Sequence, residues 1–182
     1  MPAGAATDKS DPGAALDAAE ALPAATDVQR RQKLQALLQA ANTLAAQHPA
    51  QARQAAGEAM DLLSDSLRRA DLLPAERLAL RLGTDRHVPV APDPLILRCV
   101  DQAEAMALAS EQRYDASGQD SRLAPAAAIA GDNWLGDAFA FAAQIDYPLA
   151  LQRAQQTSAA YFKPLFLERV AVGREMAHPW WK

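Results

Sequence analysis

The side chains with the greatest potential for chemistry in this sequence are three histidines and one cysteine. His48, His87 and His178 lie far apart, and none has a second ligand at His-x-x-x-His or Cys-x-x-Cys spacing. Because zinc sites need closely spaced ligands, we expect none here. Cys99 follows Arg98, which would make the thiol more reactive if both faced a pocket. Adjacent helical residues point about 100° apart, so a half-buried structural cysteine is the favoured interpretation.

Acidic side chains cluster near the end of one predicted helix. Glu58, Asp61 and Asp65 are three and four residues apart, a spacing that could hold a metal if a second helix supplied further ligands. Pairing of Asp65 with Arg69 across one helical turn also explains the cluster, as a solvated face. Ser64 has no neighbouring histidine to act as its base. We therefore predict no catalytic residue, no metal site and no cofactor.

Large apolar side chains are concentrated late in the chain. Nine of the ten aromatic residues lie in the last 49 residues, and only Tyr114 precedes Trp134. Phe139 and Phe141 are two residues apart, which on a helix places them about 200° apart on nearly opposite faces. One ring can pack on a neighbouring helix, whereas the other needs another helix, another subunit or a non-protein surface. The segment is therefore either an ordinary core or a surface used for binding.

The composition favours helices to carry these residues. Abundant Ala, Leu, Gln and Arg with few β-branched residues is typical of helix rather than strand. We predict an all-α fold, either a helical bundle or an elongated helical hairpin, with a disordered N-terminal tail. The predicted divisions are a tail (1–25), an N-terminal helical segment (26–83), a Pro-rich connector (84–94), a C-terminal helical segment (95–178) and a short tail (179–182).

Local signals place the helices of the N-terminal segment. Thr26 with Gln29 three residues later predicts a capping box. Leucines and alanines at helical spacing follow, and Pro49 begins a second helix. A third helix is predicted from Pro74 to Leu82, with Gly83 as its terminator.

The C-terminal segment has similar signals. Asp93 and Pro94 predict a helix start, and Gly131 and Gly136 are expected to break the following apolar stretch. A helix is predicted to end near Ile145, and Asp146 to cap a restart. The next helical stripe runs from Leu151 to Leu165, where Pro164 is expected to kink or split the helix.

Charge and cysteine content exclude some functions. The chain has 182 residues, a formal net charge of −4 and a pI of about 5.3. Binding to nucleic acid needs clustered basic residues, so we expect no nucleic-acid partner. The single cysteine rules out an intramolecular disulfide and fits a reducing compartment. No signal-peptide pattern or long apolar run is present, so we expect a soluble, cytoplasmic protein without a transmembrane segment.

Two segments resemble phasins, the alanine-rich helical proteins that coat polyhydroxyalkanoate storage granules. The stretch from Asp27 to Leu67 resembles the first long phasin helix in its Gln29-Arg30-Arg31 start, its Ala41-Asn42 pair and its Gln- and Ala-rich turns at 51–56. The second match is Phe139-Ala140-Phe141-Ala142, followed by Pro148, Leu151-Gln152 and Tyr161-Phe162. The two matches cover roughly a third of the chain, in the same order as in phasins.

The resemblance implies a non-catalytic structural protein that lays amphipathic helices on a hydrophobic polyester surface and associates with itself. The predicted contacts with an apolar surface or another subunit are Phe139, Phe141, Leu151, Tyr161, Phe162, Leu165 and Phe166. Self-association as a homo-oligomer is predicted through Leu34, Leu37, Leu38 and Leu44.

Two other classes of function stay open. A helical adaptor or chaperone-like module would bind another protein, with the connector and the Trp180-Trp181 pair as its motivating features. An enzyme on a helical scaffold would need a deep pocket lined by Asp132, Asn133, Arg153 or His178.

Overall fold

The structure, a computed structural model, describes residues 12–62, 69–83, 94–118 and 122–177. Over these residues it contains α-helices and a short 3-10 helix but no strand, which confirms the all-α prediction. None of the described helices is both long enough and apolar enough to cross a bilayer. The α-helices are α1 (Pro12–Glu20), α2 (Asp27–Leu44), α3 (Pro49–Asp61), α4 (Arg69–Gly83), α5 (Pro94–Ala116), α6 (Ala124–Asp132), α7 (Asp137–Ile145), α8 (Tyr147–Gln156) and α9 (Lys163–Ala177), and the 3-10 helix is Asn133–Gly136.

The first helix lies inside the predicted disordered tail, so that prediction is wrong for residues 12–20. Leu16 and Ala19 are buried, and α1 packs on α2. The Lys33 ammonium of α2 donates a hydrogen bond to the Glu20 carbonyl oxygen at 2.6 Å. Alanine has the highest helix propensity, and one leucine on the correct face is enough to anchor this short helix. Residues 1–11 lie outside the described part of the chain.

The predicted start signals of α2 and α3 are confirmed. The Gln29 amide donates to the Thr26 hydroxyl at 3.3 Å, and the Thr26 amide donates to the Gln29 side chain at 3.2 Å, which completes the capping box. Pro49 occupies the first turn of α3. Four alanines of α3 are fully buried where it packs along α2, since small side chains let helix axes approach closely: Ala52, Ala55, Ala56 and Ala59.

Three helix boundaries differ from the predictions. α4 begins at Arg69 rather than Pro74. Leu72, which precedes the proline, is fully buried, so the helical turn before Pro74 packs in the core. Gly131 does not break its segment, since α6 continues through it and the 3-10 helix leads directly into α7. The helical stripe that begins at Leu151 is interrupted, as predicted, but the interruption comes at Gln156, where α8 ends, and not at Pro164. Pro164 instead lies in the first turn of α9, where a proline costs no hydrogen bond.

The centre of the C-terminal half is the contact between α7 and α9. The rings of Phe139 and Phe166 stack with centroids 4.1 Å apart, and Phe162 tilts against Phe166 at 6.0 Å. Gly173 of α9 touches the backbone of Ala140, and a Cβ atom there would lie 2.2 Å from the Ala140 carbonyl oxygen. The two helices therefore approach backbone to backbone.

This contact gives a stability prediction. Gly173→Ala should destabilise the fold by about 1–3 kcal/mol or more, because the added methyl meets backbone that cannot move aside cheaply. Gly57→Ala in α3 is the matched control, since a Cβ there meets nothing within 4 Å. The control should be neutral or stabilise by about 0.5–1 kcal/mol through helix propensity. Urea unfolding followed by circular dichroism measures both, and equal effects of the two variants would contradict the close approach.

Candidate functional site

The predicted contact residues divide between core and surface. Phe139, Phe162 and Phe166 are fully buried and Leu165 is nearly so, which means that this chain already covers them. The others are half-buried and pack against the core with part of the side chain exposed: Phe141, Leu151 and Tyr161. Phe139 and Phe141 thus face different environments, as their two-residue spacing on a helix predicts.

Phe141 belongs to a half-buried apolar strip on α7 and α8, here called the α7 strip. Phe141 and Ile145 are one turn apart on α7, and α8 follows after the single residue Asp146. The Leu149 amide donates to the Asp146 carboxylate at 3.1 Å, so the helix restart is capped as predicted. The half-buried apolar residues of the strip are Phe141, Ile145, Tyr147 and Leu151.

Rigid packing supports the α7 strip from behind. Ala138, Phe139, Ala142 and Ala143 on the other sides of α7 are buried, and α7 packs against α4, α5, α8 and α9. Of the seven apolar residues among the nine of α7, five are buried, and Phe141 and Ile145 are half-buried. The strip is therefore a fixed apolar feature rather than part of a loop.

Tyr161 lies in the turn between α8 and α9 and is held by α5. A carboxylate oxygen of Glu111, which is buried, accepts hydrogen bonds from the Tyr161 amide at 2.7 Å and the Phe162 amide at 3.4 Å. The Tyr161 hydroxyl donates to the Asp115 carboxylate at 2.6 Å. Tyr161 therefore fixes the turn, rather than extending a helical stripe as predicted.

The leucines predicted for self-association lie in the core of the chain itself. Leu34, Leu37, Leu38 and Leu44 are all buried among neighbouring helices. Their side chains are not accessible to a second copy in this conformation.

The residues named for an enzyme lie at two separate open grooves. Asp132 accepts hydrogen bonds from the Ser110 hydroxyl at 2.7 Å and from Arg113 at 3.3 Å, beside a groove of about 280 Å³. Arg153 lines a second groove of about 330 Å³. Asn133 is exposed, and His178 lies outside the described residues. Asp132 and Arg153 therefore line different grooves.

Arg153 is held by two carboxylates of α5. Its guanidinium donates to Glu104 at 2.7 Å and also to Asp101. The hydrogen bond to Glu104 is the main cause of a raised pKa of Arg153, with Asp101 adding to it and partial burial opposing it. The cluster fastens α8 to α5 and keeps Arg153 charged.

The other residues considered for chemistry have structural contacts. Cys99 is fully buried, with its sulfur 3.8 Å from that of Met60. Asp61 pairs with Arg98 of α5 at 2.6 Å, and Arg98 also donates to the Gly57 carbonyl oxygen at 2.9 Å. Across the described ranges, no three His, Cys, Asp or Glu side chains come together as a metal site. Predictions for Asp65, His87 and the Trp pair fall outside those ranges.

Comparisons with protein-family models, curated proteins and solved structures found no match to this chain.

The carboxylate of Glu111 should be required for stability. Glu111→Ala leaves the Tyr161 and Phe162 amides without their acceptor, and each unpaired buried amide costs about 1–3 kcal/mol. We expect a loss of about 2–4 kcal/mol in urea unfolding. Gln112→Ala, at an exposed neighbouring position, should change stability by no more than about 0.5 kcal/mol. Similar effects of the two substitutions would contradict this role.

The Tyr161 hydroxyl should titrate unusually late. Its hydrogen bond to Asp115 is the main cause of a raised pKa, with desolvation and the nearby negative charges adding to it. The neutral phenol is the bonded form, so the bond is present below the ordinary pKa of about 10 and is lost as pH rises through the raised value. In absorbance titration at 295 nm, Asp115→Asn should lower the midpoint of Tyr161, and Tyr161→Phe should remove that step. An unchanged curve for Asp115→Asn would contradict the assignment.

Proposed function

We propose that the protein is a non-catalytic coat protein of hydrophobic polyester granules, and that the α7 strip makes the contact. The observation that carries this proposal is the division of the two phenylalanines of α7. Phe139 anchors the helix in the core, whereas Phe141 is half-buried, one turn from the half-buried Ile145. A rigid helix that shows apolar side chains to solvent suits contact with an extended apolar surface.

The resemblance to phasins supports the same proposal independently. Phe141 lies in the Phe-x-Phe-Ala element that the chain shares with those proteins, and Leu151 lies in the shared Leu-Gln element. Both residues are half-buried members of the α7 strip. One residue of each of these two elements therefore lies in the α7 strip, whereas Phe139 and Phe162, which also carry the resemblance, are fully buried.

The size of the strip sets the expected strength of the contact. If four half-buried side chains each cover a further ~40 Å², the gain is about 4 kcal/mol at ~25 cal/mol per Å². Association costs of about 4–15 kcal/mol, as in a protein–protein complex, are as large as this gain or larger. A single copy should therefore bind weakly, and several linked copies would bind much more tightly.

The test is binding to polyester granules by matched variants. Wild-type protein should sediment with protein-free polyhydroxyalkanoate granules, and a fluorescent fusion should form rings around granules in a polyester-accumulating bacterium. Phe141→Asp should weaken sedimentation about tenfold, because a loss of ~1.4 kcal/mol of apolar contact corresponds to that factor. Ile145→Gln is a milder second variant, and unchanged circular dichroism shows that each variant is folded.

Leu123→Asp is the control, because Leu123 is highly exposed but lies outside the α7 strip. It should leave granule binding unchanged. Diffuse fluorescence of the wild-type fusion would overturn the granule proposal. Binding of another protein that is lost in Phe141→Asp, without binding to granules, would instead support the adaptor alternative.

A further inference from the structure

Two exposed apolar side chains lie one turn apart on α9. Val172 is 39% exposed and Met176 is 59% exposed. Apolar residues that are exposed singly are normal on a protein surface, whereas a contiguous group of them marks a site of contact. The role of this pair therefore depends on which other apolar side chains lie beside it.

α7 and α9 run in the same direction and in register. Gly136, which directly precedes α7, lies against Arg169, since a Cβ atom at this glycine would be 2.6 Å from the Arg169 Cγ atom. Four residues later on each helix, Ala140 touches Gly173. Because the contacts advance together along both helices, the two helices are parallel.

This register places Phe141 beside the exposed residues of α9. Both right-handed helices turn about 100° per residue in the same sense, and they face each other at Ala140 and Gly173. The residue after Ala140 and the residue before Gly173 therefore point to the same side of the helix pair, and so do the residues one turn further on. The four residues on this side, here called the α7–α9 face, are Phe141, Ile145, Val172 and Met176.

An ion pair one turn earlier supports this arrangement. Asp137 and Arg169 lie about one turn before the first residues of the α7–α9 face on each helix, so both are expected on its side of the pair. The Arg169 guanidinium and the Asp137 carboxylate are 3.8 Å apart. The same flanks of α7 and α9 therefore meet on one side over successive turns.

The charges around the α7–α9 face determine which kind of surface it suits. Asp137 and Arg169 pair with each other, so they add no net charge at one end. Gln144, one turn after Ala140, is uncharged and donates its side-chain amide to the Ala140 carbonyl oxygen at 3.4 Å. The charged neighbours of Val172 on the outer edge of α9 are both acidic and exposed, namely Glu168 and Glu175. The face is thus an apolar patch with an acidic rim.

We propose that the α7–α9 face binds the uncharged polyester surface as one unit, with the two α9 residues sharing the contact. This inference rests on the proposed function and adds a second helix to its contact surface. The two helices touch backbone to backbone, so little ordering is needed when the face binds. The acidic rim disfavours a lipid bilayer as the partner, since anionic head groups attract basic residues and repel acidic ones.

Matched variants of α9 test the proposal by sedimentation with protein-free polyhydroxyalkanoate granules. Val172→Asp and Met176→Asp should each weaken binding about five- to tenfold, because a charge replaces part of the apolar contact. Ala171→Asp is the control, since it adds the same charge at an exposed neighbouring position that points away from α7. Met176→Leu keeps the side chain apolar and should keep the affinity. Unchanged circular dichroism shows that each variant is folded.

Oxidation of Met176 tests the contact in the unaltered chain. Hydrogen peroxide converts an accessible methionine thioether to the sulfoxide. On granules Met176 should oxidise at least about threefold more slowly than in free solution, because the contact excludes the oxidant. Mass spectrometry of the tryptic peptide that follows Arg174 measures this rate.

Two results would overturn the contribution of α9 and leave the proposed function intact. One is normal granule binding by Val172→Asp and Met176→Asp while Phe141→Asp binds weakly. The other is oxidation of Met176 at the same rate on granules and in solution. Wild-type protein that does not sediment with granules would overturn both proposals. If it sedimented instead with phosphatidylglycerol vesicles, and lost them at high salt, the partner would be an anionic membrane.

Discussion

The close approach of α7 and α9 is the constraint on which the C-terminal half depends. Gly173 lets the backbone of α9 touch α7 at Ala140, and this brings Phe166 into a stack with Phe139 at 4.1 Å. Such a short distance between helices leaves room for only one layer of rings. The other residues of α7 must therefore face α4, α5, α8 or solvent, and Phe141 is the half-buried aromatic residue of this helix.

A second constraint fixes the direction in which α9 returns to α7. The buried carboxylate of Glu111 binds two amides of the turn after α8, and Asp115 holds the Tyr161 hydroxyl in the same turn. Burial of a carboxylate is tolerated here because charge-assisted hydrogen bonds replace its lost hydration. α5 thus acts as a support that positions the turn, and the turn positions the ring of Phe162 against Phe166.

The parts of the fold that depend on neighbouring residues were predictable from sequence. The capping box at Thr26, the start at Pro49 and the Asp146 cap all form between residues three apart or closer. The turn after Gln156 was not predictable, because its acceptor, Glu111, lies about 50 residues earlier in the chain. The two-residue spacing of Phe139 and Phe141 predicted that they lie on different faces of the helix. Which of the two is in the core depends on tertiary packing, which the local sequence does not contain.

The α7 strip is apolar and suits an extended surface that offers no specific hydrogen bonds. α7 packs against α4, α5, α8 and α9, so the strip is mounted on the core of the chain rather than on a loop. A single strip, at about 4 kcal/mol before association costs, binds weakly on its own. Several strips carried by linked copies would bind at a raised effective concentration, provided that they can reach the same surface.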